Sequence, residues 1–107
     1  MLMVRFLKRH GFEVSSAEDG LAGLRETLEW GPHLVLLDLM MPVMDGMTYL
    51  RKLQASKAAG VPVVVTSALG DQSKKTEAEV LGVCEYLVKT RFTLDDLLAT
   101  VRRCVGG

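Results

Sequence analysis

Three residue types at three separated points in the chain can do chemistry together: a carboxylate at Asp38, a hydroxyl pair at Thr66 and Ser67, and an ammonium at Lys89. Each stands at the end of a short apolar run. Leu34, Val35, Leu36 and Leu37 lead into Asp38; Val63, Val64 and Val65 lead into the hydroxyls; Cys84 to Val88 lead into Lys89. Apolar runs of this length read as strands buried on both faces, the pattern of a parallel sheet. In an open parallel sheet the carboxyl ends of the strands share one edge, and ligands gather there. A carboxylate, a hydroxyl and an ammonium brought together in that way suit a nucleophile that accepts a phosphoryl group. The carboxylate attacks, the ammonium neutralises charge on the acyl phosphate, and the hydroxyl donates to a phosphoryl oxygen.

The elements that must position these groups follow from periodicity and punctuation. Met3, Phe6, Leu7 and His10 share a helical spacing that Gly11 stops. Residues 12–17 alternate as a short edge strand would. Asp19 and Gly20 open a second helix with Leu21, Leu24 and Leu28 on one stripe, closed by Gly31 and Pro32. After the loop bearing Pro42 and Gly46, residues Met47, Leu50 and Leu53 form a helical face, with Asp45 as its cap. Asp71 or Ser73 caps a charged helix running to about Leu81, and Gly82 ends it. Thr93 and Asp96 have capping-box spacing ahead of Leu94, Leu97, Leu98, Val101 and Cys104. Strands alternating with helices predict an α/β fold with a parallel sheet covered on both faces.

Composition bounds the function classes. With 107 residues the chain makes one domain, residues 1–107, with a single core. Lysine and arginine total 13 and aspartate and glutamate total 13, so no basic field is present to hold nucleic acid directly. No apolar stretch reaches membrane-spanning length, and the first ten residues lack the pattern of a signal peptide, which fits a cytoplasmic location. Cys84 and Cys104 have neither CxxC nor histidine spacing and read as reduced core thiols, with a disulfide or a metal site as the alternatives; His10 and His33 read as helix-end or solvated histidines.

The stretch LVLLDLMMPVMDG at 34–46, with PVVVTSA at 62–68 and EYLVK at 85–89, strongly resembles the receiver domain of two-component response regulators. The resemblance covers nearly the whole chain. It implies a flavodoxin-like doubly wound sheet, here of four strands with five helices. It also implies a phosphoacceptor switch in a phosphorelay, not an enzyme: Asp38 takes a phosphoryl group from a phosphohistidine on a sensor histidine kinase or phosphotransfer protein. By the same resemblance the Met40 backbone carbonyl and Asp38 are magnesium ligands, Ser67 is the switch hydroxyl, Ala68 leaves room at the site, Tyr86 is the switch aromatic, and Lys89 is the family's lysine. Ser67 is chosen over Thr66 because it stands five residues after Pro62. The output protein would dock on the face near Tyr86, with Lys74, Lys75, Arg91 and Phe92 around it.

Two departures from the family pattern carry consequences. A receiver ordinarily opens with an apolar strand ending in an acidic pair that ligates magnesium. Residue 1 here corresponds to the family's first helix, and neither the strand nor the pair is present among the 107 residues. Magnesium prefers several oxygen ligands in octahedral array, so Asp38 and one carbonyl would hold it weakly. The alternative function is accordingly a receiver-like interaction module that works without phosphorylation. The missing strand belongs in the sheet interior, so the chain must close the gap, pair with another copy as a homodimer, or leave 12–17 loosely held; a start codon assigned too far downstream is the simplest origin. The second departure is Thr90, where most receivers carry a proline after a cis bond. A cis bond before threonine costs about 3–4 kcal/mol, so Lys89 is expected to be aimed less firmly. A third class, the haloacid dehalogenase phosphatases, needs an aspartate two residues after the nucleophile, where this chain has Met40.

Overall fold

The computed structural model describes residues 2–15, 17, 19–39, 46–67 and 72–106. Helices and strands alternate in the order α1 (Leu2–Arg9), α2 (Gly20–Trp30), β1 (Val35–Asp38), α3 (Gly46–Gln54), β2 (Val63–Ser67), α4 (Gln72–Val80), β3 (Glu85–Val88) and α5 (Leu94–Gly106). The three strands form a parallel sheet in the order β1-β2-β3. Val35 pairs with Val63 and Asp38 with Thr66, while Val65 pairs with Tyr86 and Ser67 with Val88.

The strand alternation sorts side chains into two cores. Val35, Leu37, Val63 and Val65 face Met47, Tyr49, Leu50 and Leu53 of α3 and Ala78 of α4. Leu34, Leu36 and Leu87 face the opposite way, onto Leu7 of α1 and Leu97 and Val101 of α5. Helices therefore cover both faces, as the continuous apolar character of the strands requires. β2 lies between two strands and is buried along its whole length. Each valine there contributes about 1.5–3 kcal/mol by leaving water. β2 is the rail against which the other two strand ends are held.

Local chemistry sets the helix ends. The Asp19 carboxylate accepts from the Ala22 amide at 2.8 Å, and Gly31 closes α2 in the left-handed region at φ 66°. Gly82 ends the turn after α4 at φ 85°. At α5 the Thr93 amide donates to Asp96 Oδ2 at 2.9 Å, and the Asp96 amide donates to Thr93 Oγ1 at 3.1 Å, a reciprocal capping box. His10 lies at the end of α1, its Nδ1 2.9 Å from the Phe6 carbonyl oxygen.

Four expectations are corrected. The fourth strand does not form among the described residues: 12–15 carry no strand, because no neighbouring strand offers them a ladder, and Phe12 and Val14 pack instead against the Leu7–Leu97–Val101 core. Ser73 lies inside α4 and is not its cap, while Asp71 and Asp45 lie outside the described residues. Leu21 is exposed, and the inward face of α2 carries Thr27. Its hydroxyl donates to the Gly23 carbonyl at 2.7 Å and accepts from the Tyr49 hydroxyl at 2.7 Å, which ties α2 to α3 through a buried polar bridge. Finally, Cys84 and Cys104 are not free thiols but are joined in a disulfide, their Cα atoms 6.2 Å apart. The hairpin-like return of the chain through α5 brings two residues 20 apart into bonding geometry, which sequence spacing alone cannot reveal.

Candidate active site

Asp38 is the last residue of β1, and its row in the sheet is shared by Thr66 of β2. The ladder continues one step beyond: the Leu39 amide donates to the Thr66 carbonyl at 3.2 Å. On the other side the Lys89 amide donates to the Ser67 carbonyl at 2.8 Å, so the residue following β3 is still held by β2. These backbone bonds fix the three strand ends relative to one another. Lys89 Nζ then reaches Asp38 Oδ2 at 2.6 Å, across β2. Such a charge-assisted bond brings together residues 51 apart in sequence.

The chain passes from Lys89 to Thr90, where most receivers carry a proline after a cis bond. Among the described residues there is no cis peptide bond, and Lys89 nevertheless meets Asp38. The sheet bond from the Lys89 amide to Ser67 orients the lysine backbone independently of the residue that follows. The pair stays open to water, with side-chain exposures of 42% for Lys89 and 41% for Asp38. A reactant can therefore approach it, and the ion pair itself adds little stability.

The two hydroxyls differ in direction. Both Thr66 and Ser67 are buried. Alternation along β2 puts Ser67 on the same face as Val65, whose row contains Tyr86, and puts Thr66 on the opposite face. Tyr86 packs against the Leu37–Leu50 core, and its buried hydroxyl has no hydrogen-bond partner among the described residues. Burying an unpaired hydroxyl costs about 1–3 kcal/mol. Met40 and Ala68 lie outside the described residues.

Sequence reasoning missed the role of Gly46 as a spacer. Its amide donates to the Leu39 carbonyl at 3.0 Å, bringing the first turn of α3 directly against the end of β1. A Cβ built there would lie 2.5 Å from Leu39 Cα and 3.0 Å from the Asp38 carbonyl oxygen. Only glycine permits that approach. The signal in the sequence was the glycine itself, eight residues after Asp38 at the start of a helix.

The donor set does not fit a metal held by the described residues alone. A hard divalent cation prefers about six oxygens. The described side chains at the strand ends are one carboxylate, engaged by an ammonium, and two hydroxyls. No group of three or more His, Cys, Asp or Glu side chains comes together among the described residues.

The chain matches the family model described as the response regulator receiver domain over residues 1–102. The chain belongs to the response regulator receiver family. This receiver is 40% identical over 98 residues to the transcriptional regulatory protein PrrA of Mycobacterium leprae, covering 92% of this chain and 41% of that protein. It is 33% identical over 107 residues to the chemotaxis protein CheY of Bacillus subtilis, covering 99% of this chain and 88% of that protein. Among solved structures, the receiver domain of the Francisella response regulator 1452 superposes with a TM-score of 0.89 at 27% identity, covering 98% of this chain and 85% of that one. The receiver spans about two fifths of the length of the first transcriptional regulators it matches. The flavodoxin-like parallel fold that the resemblance implied is the fold of this chain. No helix among the described residues is long and apolar enough to cross a membrane.

Proposed function

We propose that residues 1–107 act as one phosphoacceptor receiver, in which Asp38 takes a phosphoryl group from a phosphohistidine on a sensor histidine kinase or phosphotransfer protein. The observation that carries this reading is the 2.6 Å approach of Lys89 Nζ to Asp38 Oδ2 at the shared strand edge. A carboxylate oxygen of Asp38 attacks phosphorus, the bond to the imidazole nitrogen breaks, and its electron pair stays on the imidazole. Lys89 then faces an acyl phosphate in place of a carboxylate, and its charge offsets the added negative charge. Ser67 turns its hydroxyl toward a phosphoryl oxygen. The space that Ser67 vacates lies on the Tyr86 face, so Tyr86 shifts with it and changes the surface of α4, β3 and α5. An output protein reads that surface. The protein works in the cytoplasm, where such kinases present their phosphohistidines.

Receivers of this family bind magnesium in the active site. The residues described here do not form such a site by themselves, so no step above is routed through the metal.

A second reading, a receiver-shaped interaction module used without phosphorylation, has one observation in its favour: a single carboxylate stands at the described strand ends. It would recruit partners, or a second copy of itself, through the same surface. Incubation with acetyl phosphate and magnesium, followed by intact mass, separates the readings. A phosphoryl adduct lost in Asp38→Asn supports the first; no adduct under any phosphodonor supports the second.

A further inference from the structure

The disulfide between Cys84 and Cys104 lies at the end of the sheet opposite to Asp38. Cys84 immediately precedes β3 and is held by its amide, which donates to the Val63 carbonyl at 2.8 Å. Cys104 is in the last turn of α5. The bond therefore ties the C-terminal end of α5 to the root of β3.

The other ties on α5 are unevenly distributed. Its first turn is fixed by the Thr93–Asp96 capping box, and its middle by burial of Leu97 and Val101. Beyond Val101 the non-covalent ties are weaker. Arg102, Arg103 and Val105 are exposed, and the Arg103 Nη2 to Glu85 Oε2 contact at 2.6 Å joins two solvent-exposed side chains of the kind that hold little. The covalent bond thus acts on the helix end where docking otherwise depends on little else. In reducing compartments, cysteine pairs that do form disulfides are usually transient or redox-sensing.

We propose that Cys84 and Cys104 are a reversible redox modification site, and that its oxidation state sets how firmly the C-terminal half of α5 is docked on β3. The oxidant is a low-molecular-weight disulfide of the glutathione class. The thiolate of Cys84, the more exposed of the two residues, attacks one sulfur of glutathione disulfide and releases one glutathione thiolate. The Cys104 thiolate then attacks the mixed disulfide at Cys84 sulfur and releases the second. Two electrons pass from the cysteine pair to glutathione, and the two thiol protons end on the released glutathiones. Reduction runs the same steps backwards. Leu97 and Val101 of α5 pack with Leu87 of β3 in the core that also holds Leu7, so this site acts on the α5–β3 face, the output surface of the reading proposed above, without touching Asp38. The inference does not depend on phosphorylation, and its test uses unphosphorylated protein.

The full chain is equilibrated in glutathione buffers of graded oxidised-to-reduced ratio, quenched natively with iodoacetamide and weighed intact, while hydrogen exchange is followed over residues 94–106. Oxidising buffers should protect both cysteines from alkylation and reducing buffers should expose both. Exchange in the last two turns of α5 should accelerate by roughly ten- to a hundredfold on reduction, with the first turn changing little. Cys104→Ser should exchange like the reduced protein in either buffer. The comparison of oxidised with reduced wild type needs no variant, so a folding failure of Cys104→Ser leaves the test intact. Full alkylation of both cysteines in oxidising buffer, or pairing without any change in α5 exchange, would overturn the proposal.

Discussion

Replacing Gly46 by alanine adds one methyl group at the point where α3 abuts the end of β1. That carbon would sit 2.5 Å from Leu39 Cα, 2.7 Å from Leu39 Cδ2 and 3.0 Å from the Asp38 carbonyl oxygen. Carbon–carbon contacts relax at about 3.5–4 Å, so the two segments must part by roughly 1 Å. The Leu39 side chain cannot absorb the strain alone, since it is 2% exposed and the closest contact is backbone. Overpacking of this kind costs about 1–3 kcal/mol. Alanine's better helix propensity returns less than about 1 kcal/mol at a first helical residue. A net loss of about 1–2 kcal/mol is expected, which for a domain of this size lowers Tm by roughly 4–16 °C. The displacement also moves Asp38, so phosphorylation by a small phosphodonor should slow by up to about a hundredfold. Urea unfolding and timed intact mass measure the two effects, with Gly60→Ala, whose Cβ meets nothing within 4 Å, as the control. A Gly46→Ala protein as stable and as readily phosphorylated as the wild type would refute the steric reasoning.

Three other variants probe separate parts of the structure. Burial raises the Tyr49 phenol pKa above its ordinary value of 10.0. The stabilisation from keeping this phenol neutral is therefore complete below pH about 10 and is lost as pH rises further, and Tyr49→Phe should lose about 1 kcal/mol at neutral pH while removing that alkaline component, as read by denaturation across pH. Lys89→Gln should change unfolding free energy by less than about 1 kcal/mol, because the pair is exposed, yet slow acyl phosphate formation by at least about tenfold in timed mass spectrometry. Cys84→Ser with Cys104→Ser opens a loop of 20 residues and should cost about 3 kcal/mol relative to the oxidised protein, measured by urea unfolding without reductant.

Which of these features could be read before folding depends on how local their causes are. The capping box at Thr93 and Asp96, the glycine stops at Gly31 and Gly82, and the valine run of β2 each follow from neighbours within a few residues, and all of them formed. Asp38 and Lys89 are distant in sequence, but each terminates an apolar run, and parallel strands force such ends to one edge. Other features depend on distant partners. Thr27 displaced Leu21 from the inward face because Tyr49, 22 residues later, offers it a buried hydroxyl. Cys84 and Cys104 meet only once α5 has packed back across β3. Residues 12–15 have the alternation of a strand, yet a strand needs a neighbour, and none lies beside them among the described residues. Gly46 punctuates the sequence visibly, but the atom that forbids a side chain there belongs to Leu39.

The most direct test of Asp38 as a phosphoacceptor is the intact mass of the full chain after incubation with acetyl phosphate and magnesium, with Asp38→Asn in parallel. A single phosphoryl adduct, labile at alkaline pH as an acyl phosphate must be and absent from Asp38→Asn, is the predicted result. An unmodified mass with every phosphodonor, or an adduct that persists in Asp38→Asn, would contradict it.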